Sequence, residues 1–327
     1  MDVLHAFALL PLAARAVCGR ADNNVIGLPG IRCALAAPLL ISTNAHAHRG
    51  EALAPHDLWT TWNADWWMWL LIVATGALYA LGVHRIWRAS HSGAGIARWR
   101  AVAFALGWLA LVVALLSPLD PLGGVLFSAH MVQHELLMVV AAPLLAVGRP
   151  IGAFLWALPP NWRQPAWRIT MRSGLASAVA ALSRPLVAWI VHAAALWLWH
   201  VPALFDASVR SELVHTAQHL SFFVTALLFW WALLKPGSER HGGAVAVLYV
   251  LTTAMHGSVL AALLTFSAHP WYTVYATTAP SWGLSALEDQ QLGGLIMWVP
   301  GGTVYLGIAL ALMASWLRQI EPSMRSE

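Results

Sequence analysis

"FSAHMVQHELLMVVAAPLL", residues 127–145, places two histidines, His130 and His134, at the head of an apolar run. "ELVHTAQHLSFFVTALLFW", residues 212–230, repeats the arrangement with His215 and His219. Both runs carry the pattern H-x-x-Q-H. Positions i and i+4 lie on one helix face, a turn apart. Each motif therefore aims two imidazoles in one direction, with Gln133 or Gln218 beside them. Ionisable side chains are expensive inside a bilayer and mark functional positions there. Two such pairs in one chain raise the question of what they hold.

The rest of the sequence supplies the bilayer. The chain has 327 residues, 59% hydrophobic and 10% charged, against about 25% charged in soluble domains. Its 20 tryptophans suit membrane interfaces, where Trp collects. Seven apolar stretches, at about 66–86, 101–117, 125–147, 185–203, 211–234, 244–266 and 291–316, are long enough for spanning helices. The expected fold is an all-α polytopic membrane bundle of seven transmembrane helices.

Charge orients it. Arg85, Arg88, Arg98, Arg100, Arg149, Arg163, Arg168, Arg172, Arg184, Lys235, Arg240, Arg318 and Arg325 all fall on one side of this scheme. Arg49 and Arg210 fall on the other. The positive-inside rule then puts the N-terminus outside and the C-terminus inside. The pI near 9.5 reflects these loops and carries no nucleic-acid signal. Within them, "LPPNWRQPAWRITMRSGLASAVAALSRP", residues 158–185, reads either as a helix on the inner membrane surface or as a plain basic loop.

The N-terminal region reads as a leader. Residues 31–47, "IRCALAAPLLISTNAHA", show a basic residue, a short apolar run and a small-x-small ending, the pattern of a signal peptide. The first thirty residues fit that pattern poorly, which moves the expected start towards residues 25–31. The expected organisation is an extension with signal peptide over 1–47, an exported segment over 48–65, a membrane domain over 66–316 and a cytoplasmic tail over 317–327. Cys18 and Cys33 both precede the expected cleavage point. Soft-metal chemistry in the mature chain would then fall to His and Met.

A rise of 1.5 Å per residue sets His130 and His215 roughly 6–8 Å into their helices, and His134, His219, His192 and His256 roughly 12–15 Å in. Two H-x-x-Q-H faces opposite each other would form a cluster of four imidazoles, closed by His256. Imidazole suits copper, iron and zinc, and a donor set without thiolate or carboxylate favours copper or haem iron. The expected metal ligands are His130, His134, His215, His219 and His256. Gln133, Gln218, His192, Met255 and Met297 are auxiliary candidates. His192 and His200, taken singly, read as hydrogen-bonding residues between helices.

Carboxylates frame the cluster. In "LSALEDQQLGGLIMWVPGG", residues 284–302, Glu288 and Asp289 either cap the last helix, or Asp289 orients a ligand or gates a cation. Asp120, in "SPLDPL", could do the same or cap the third helix. The segments "SPLDPLGGVLFSAHMVQH" and "VPALFDASVRSELVHTAQH" also share the order Pro, Leu, Asp, loop, H-x-x-Q-H, as an internal repeat would. With few polar residues continuing inward, the cluster reads as a cup opening outward.

Together "SPLDPLGGVLFSAHMVQHELLMVVAAPLLAVGRP", "WHVPALFDASV…LVHTAQHLSFFVTALLFWW" and "GLSALEDQQLGGLIMWVPGG" resemble the seven-helix CtaG family of cytochrome c oxidase assembly factors, over most of residues 60–316. The single-span copper chaperone that shares the name is a different protein. The resemblance implies a non-enzymatic role in maturing a haem–copper oxidase in a bacterial plasma (inner) membrane. Its partners would be oxidase subunits, periplasmic copper chaperones and the lipid bilayer, and no nucleic acid is implied. The ligand set rests on the residues themselves. Copper is the expected cargo. The alternatives are a b-type haem electron-transfer protein, built on bis-His ligation between helices, and a copper transporter.

Overall fold

The computed structural model describes residues 53–89, 95–234 and 243–324. The expected signal peptide, both cysteines and the loop around Lys235 and Arg240 lie outside them. Among the described residues there is no β-strand. Six helices are long and apolar enough to cross a membrane: α1 (Trp66–Ala89), α2 (Arg98–Leu116), α4 (Phe127–Val147), α10 (Glu212–Leu234), α11 (Gly243–Thr265) and α12 (Ala286–Gln319). A short α3 (Leu119–Gly123) precedes α4, and α9 (Pro202–Arg210) precedes α10. Each H-x-x-Q-H helix is thus entered through a Pro-led short helix, where the repeat-like segments suggest a loop.

The fourth expected span takes another form. Helix α8 (Pro185–Trp199) has 15 residues and is bent by 80° from α7 (Leu175–Leu182). The span count is six, or seven if this bent pair is one span. Pro185 stops α7 from running on: a proline disfavours helical geometry in the residue before it, and Arg184 is extended. Residues 150–182 are helical throughout their basic section, as α5 (Pro150–Ala157), α6 (Pro160–Arg172) and α7. Helix α6 buries no residue, and its Trp162, Trp167 and Ile169 are exposed. The segment is therefore helical rather than an irregular loop.

The two His-bearing helices are the central ones. In α4 61% of the span is buried and in α10 56%, against 22–33% for the other four spans. Helix α4 also departs from α geometry at Leu136–Ala141, and α12 at Met297–Gly301; both segments are π-helical. Such segments leave carbonyls free of the normal ladder. Trp230 uses one, donating its indole N–H to the Met138 carbonyl at 2.8 Å, and its ring stacks on Tyr305 at 5.6 Å. This locks α10 to α4 and α12 about one turn past His134 on α4 and about three turns past His219 on α10.

The start of α4 has no cap of its own, because Leu126 precedes it. Asp289 of α12 supplies one. The Phe127 N–H donates to its Oδ2 at 2.6 Å and the Ser128 N–H to its Oδ1 at 3.0 Å. Orphan N–H groups at a helix start need acceptors, and the helix dipole favours a carboxylate there. Glu288 closes a capping box with Ser285 at the start of α12 itself. Replacing Asp289 with Ala should cost about 0.5–2 kcal/mol, the usual range for a lost cap. The thermal midpoint of the detergent-solubilised protein would fall, and less so for Asp289→Asn, which keeps one acceptor oxygen. An unchanged midpoint for Asp289→Ala would show that these two N–H groups find other partners.

Candidate metal centre

Four imidazoles meet between α4 and α10. Within each motif the rings are close, 4.4 Å between centroids for His130 and His134 and 4.1 Å for His215 and His219. Across the two helices His130 lies 5.2 Å from His215 and 5.5 Å from His219, and His134 lies 5.3 Å from His219. The i, i+4 spacing and the face-to-face placement read from the sequence are both present. One nitrogen from each of His130, His215 and His219 lies within 4.8 Å of the others. A shared ion with metal–nitrogen bonds of ~2.0–2.1 Å needs them about 3.3–3.6 Å apart. An ion that draws them to that spacing also competes for His130, whose two ring nitrogens contact the Gly123 carbonyl and Gln218 Oε1.

The glutamines do different work in the two motifs. Gln218 Oε1 lies 3.1 Å from His130 Nε2, and the His130 Nδ1 lies 3.3 Å from the Gly123 carbonyl. Gln133 points away from the rings, donating to the Ala114 carbonyl at 2.9 Å and to Asp120 Oδ1 at 3.1 Å. Asn63 donates to the other Asp120 oxygen at 2.8 Å. Asp120 therefore fixes a motif glutamine and ties α3 to the segment before α1. Desolvation pushes its carboxyl up to about 6, against the two amide hydrogen bonds that lower it. Gly123 leaves room here, since a β-carbon at this position would displace the Gln133 amide oxygen.

The other candidates separate. His256 makes its ring contact with Trp189, at 5.5 Å, and makes none with the four clustered rings. His192 bonds Thr225 Oγ1 at 3.0 Å through Nδ1, the interhelical role expected of it alone. Met255 is 63% exposed and turns away from the protein. Met297 packs into the hydrophobic core. Asp289 touches no histidine and acts on them only by holding the start of α4.

One residue joins the site that the sequence reading left out of it, and one buried carboxylate lies next to it in the chain, facing α12. His200, at the C-terminal cap of α8, is buried and lies 6.3 Å from His134. It belongs to no i, i+4 pair, so periodicity could not place it. Glu135 follows His134 within the α4 span. Its Oε2 is buried without a hydrogen-bond partner among the described residues. A β-carbon on Gly301 would come within 2.7 Å of that oxygen. A carboxylate at this depth was visible in the sequence as a functional signal.

The cup is not open at its mouth. Phe205 packs 5.0 Å from His130 and 6.3 Å from His200. Phe127, Tyr272 and Tyr275 complete an aromatic plug with it. Tyr272 donates to the His200 carbonyl at 2.9 Å, and Tyr275 to the Gly123 carbonyl at 3.0 Å. Of the four clustered rings, His215 alone is not fully covered.

The sequence profile of the cytochrome c oxidase caa3 assembly factor (CtaG) family matches residues 77–319. An uncharacterized protein of Mycobacterium tuberculosis and one of Mycobacterium bovis are each 30% identical over 268 residues, covering 80% of this chain and 40% of theirs. An uncharacterized protein of Mycobacterium leprae is 28% identical over 270 residues, with the same coverage. The chain thus spans about 40% of the length of these curated relatives. No solved structure matches it. With a profile match over most of its membrane helices, the chain belongs to the cytochrome c oxidase caa3 assembly factor family.

Proposed function

We propose that the protein holds copper at the His130, His215 and His219 imidazoles and delivers it to a cytochrome c oxidase during assembly in a bacterial plasma membrane. The observation that carries this reading is the convergence of three imidazole nitrogens from two facing helices. Neutral imidazoles suit copper without forcing one rigid geometry, which is what a donor that must release its cargo requires. The distribution of basic loops supports a reading in which this end of the bundle faces the exported side. Copper would then arrive from periplasmic carriers and leave to an oxidase subunit. The role is one of assembly rather than catalysis.

The ring packing favours copper over haem. The cross-helix centroid separations of 5.2–5.5 Å leave no slot for a porphyrin plate between the two His pairs. The purified protein should bind copper and show no Soret band. His215→Ala/His219→Ala should weaken copper retention by at least the roughly 10–100-fold that loss of even an outer hydrogen-bond partner costs a metal site. Oxidase activity in cells grown at low copper should fall with it. Full oxidase activity in the double variant at low copper would sink the delivery reading, and a Soret band lost in that variant would replace copper with haem.

A second reading, transport of copper across the membrane, is favoured by one observation. Glu135 puts a buried carboxylate within the membrane span of α4, facing Gly301, with an oxygen that has no partner among the described residues. Proteoliposomes loaded with a copper-sensitive dye decide between them. Uptake that is abolished by Glu135→Gln supports transport. No uptake above that of protein-free vesicles leaves delivery as the function.

A further inference from the structure

His134 and His200 stand farther apart than the contacting ring pairs of the two motifs. Those pairs lie 4.1–5.5 Å apart, and this pair lies 6.3 Å apart. A metal–nitrogen bond is ~2.0–2.1 Å, and a ring nitrogen lies roughly 1.1 Å from its centroid. Two imidazoles on opposite sides of one ion therefore have centroids roughly 6.2–6.4 Å apart. The closer pairs are too near for a linear ion between them.

The chemistry of the two rings agrees with the spacing. The Nδ1 of His200 lies 2.7 Å from the Leu196 carbonyl. A carbonyl can only accept, so this contact puts the proton on Nδ1 and leaves a lone pair on Nε2. A hydrogen bond on one nitrogen that frees the other for a metal is the usual arrangement of a ligating histidine. The His200 Nε2 has no hydrogen-bond partner among the described residues, and neither nitrogen of His134 has one. His200 is 2% exposed and His134 1%. Unpaired nitrogens in such a place have lost their hydration with nothing in return. Tyr272 holds the His200 carbonyl from the other side, so the ring is fixed at its backbone as well.

We infer that His134 and His200 form a second copper position, a two-coordinate site for monovalent copper that lies beside the three-imidazole site. The inference rests on the copper reading of the first site. His219 stands 5.3 Å from His134, so an ion can pass from one position to the other through a shared neighbour. No electron or proton needs to be supplied, because the ion keeps its charge and only exchanges one neutral ligand for another.

The test is a titration of the full-length, detergent-purified protein with Cu(I) against a chromophoric chelator, with X-ray absorption to count nitrogens. The wild type should take two equivalents. His200→Asn keeps an amide N–H for the Leu196 carbonyl but has no Nε2, and it should take one. His134→Ala should also take one, and both variants should keep a three-nitrogen copper. His215→Ala/His219→Ala should retain one equivalent in a two-nitrogen environment. Two equivalents in His200→Asn would overturn the inference, as would a single equivalent in wild type and variant alike, with the first site left standing. No copper in wild type would overturn both readings.

Discussion

Unpaired imidazole nitrogens packed in an apolar bundle are the constraint around which this protein is organised. A buried polar atom without a partner is destabilising, and the region between α4 and α10 contains several. His134 has two such nitrogens, and His200, His215 and His219 have one each. Ordinary membrane packing would pair them with hydroxyls or carbonyls, as Thr225 pairs with His192. The cluster instead aims them at one another, where neutral rings gain little until a cation comes between them. The surrounding structure supplies the rigidity such an arrangement needs. Asp289 fixes the start of α4, Trp230 ties α10 to α4, and the aromatic plug covers the rings.

Those supports explain why the two central helices are also the most buried. Donor groups meant to bind an ion must be held close before it arrives, or the ordering cost falls on binding. The fixed points come from other helices. The cap of α4 is on α12, the brace of its glutamine is on α3, and the clasp on His200 comes from the segment between α11 and α12. The site is therefore a property of the whole bundle, which fits a family profile that extends over nearly all of it.

The sequence revealed the parts that follow from a single helix. A 3.6-residue repeat puts His130 with His134 and His215 with His219, and the apolar lengths give six spans directly. It could not rotate α11 about its axis. That helix is apolar on all sides, so nothing in its own residues decides whether His256 faces the cluster or Trp189. Asp289 was ambiguous for a related reason. A carboxylate in the first turn of a helix looks like that helix's own cap, and only tertiary packing shows it serving another 161 and 162 residues away. His200 lies beyond the last turn of a short helix, where periodicity carries no information.

Gly301 and Gly123 lie directly against side chains of α4, one beneath Glu135 and the other beneath Gln133. Neither can gain a methyl group while its neighbour stays in place. In both cases the atom met is the far end of a flexible side chain, so a larger residue at 301 or 123 is accommodated only where the Glu135 carboxylate or the Gln133 amide swings aside. The cost of such a substitution then falls on the helix that carries the histidines, so two positions far away in sequence act on the setting of the site.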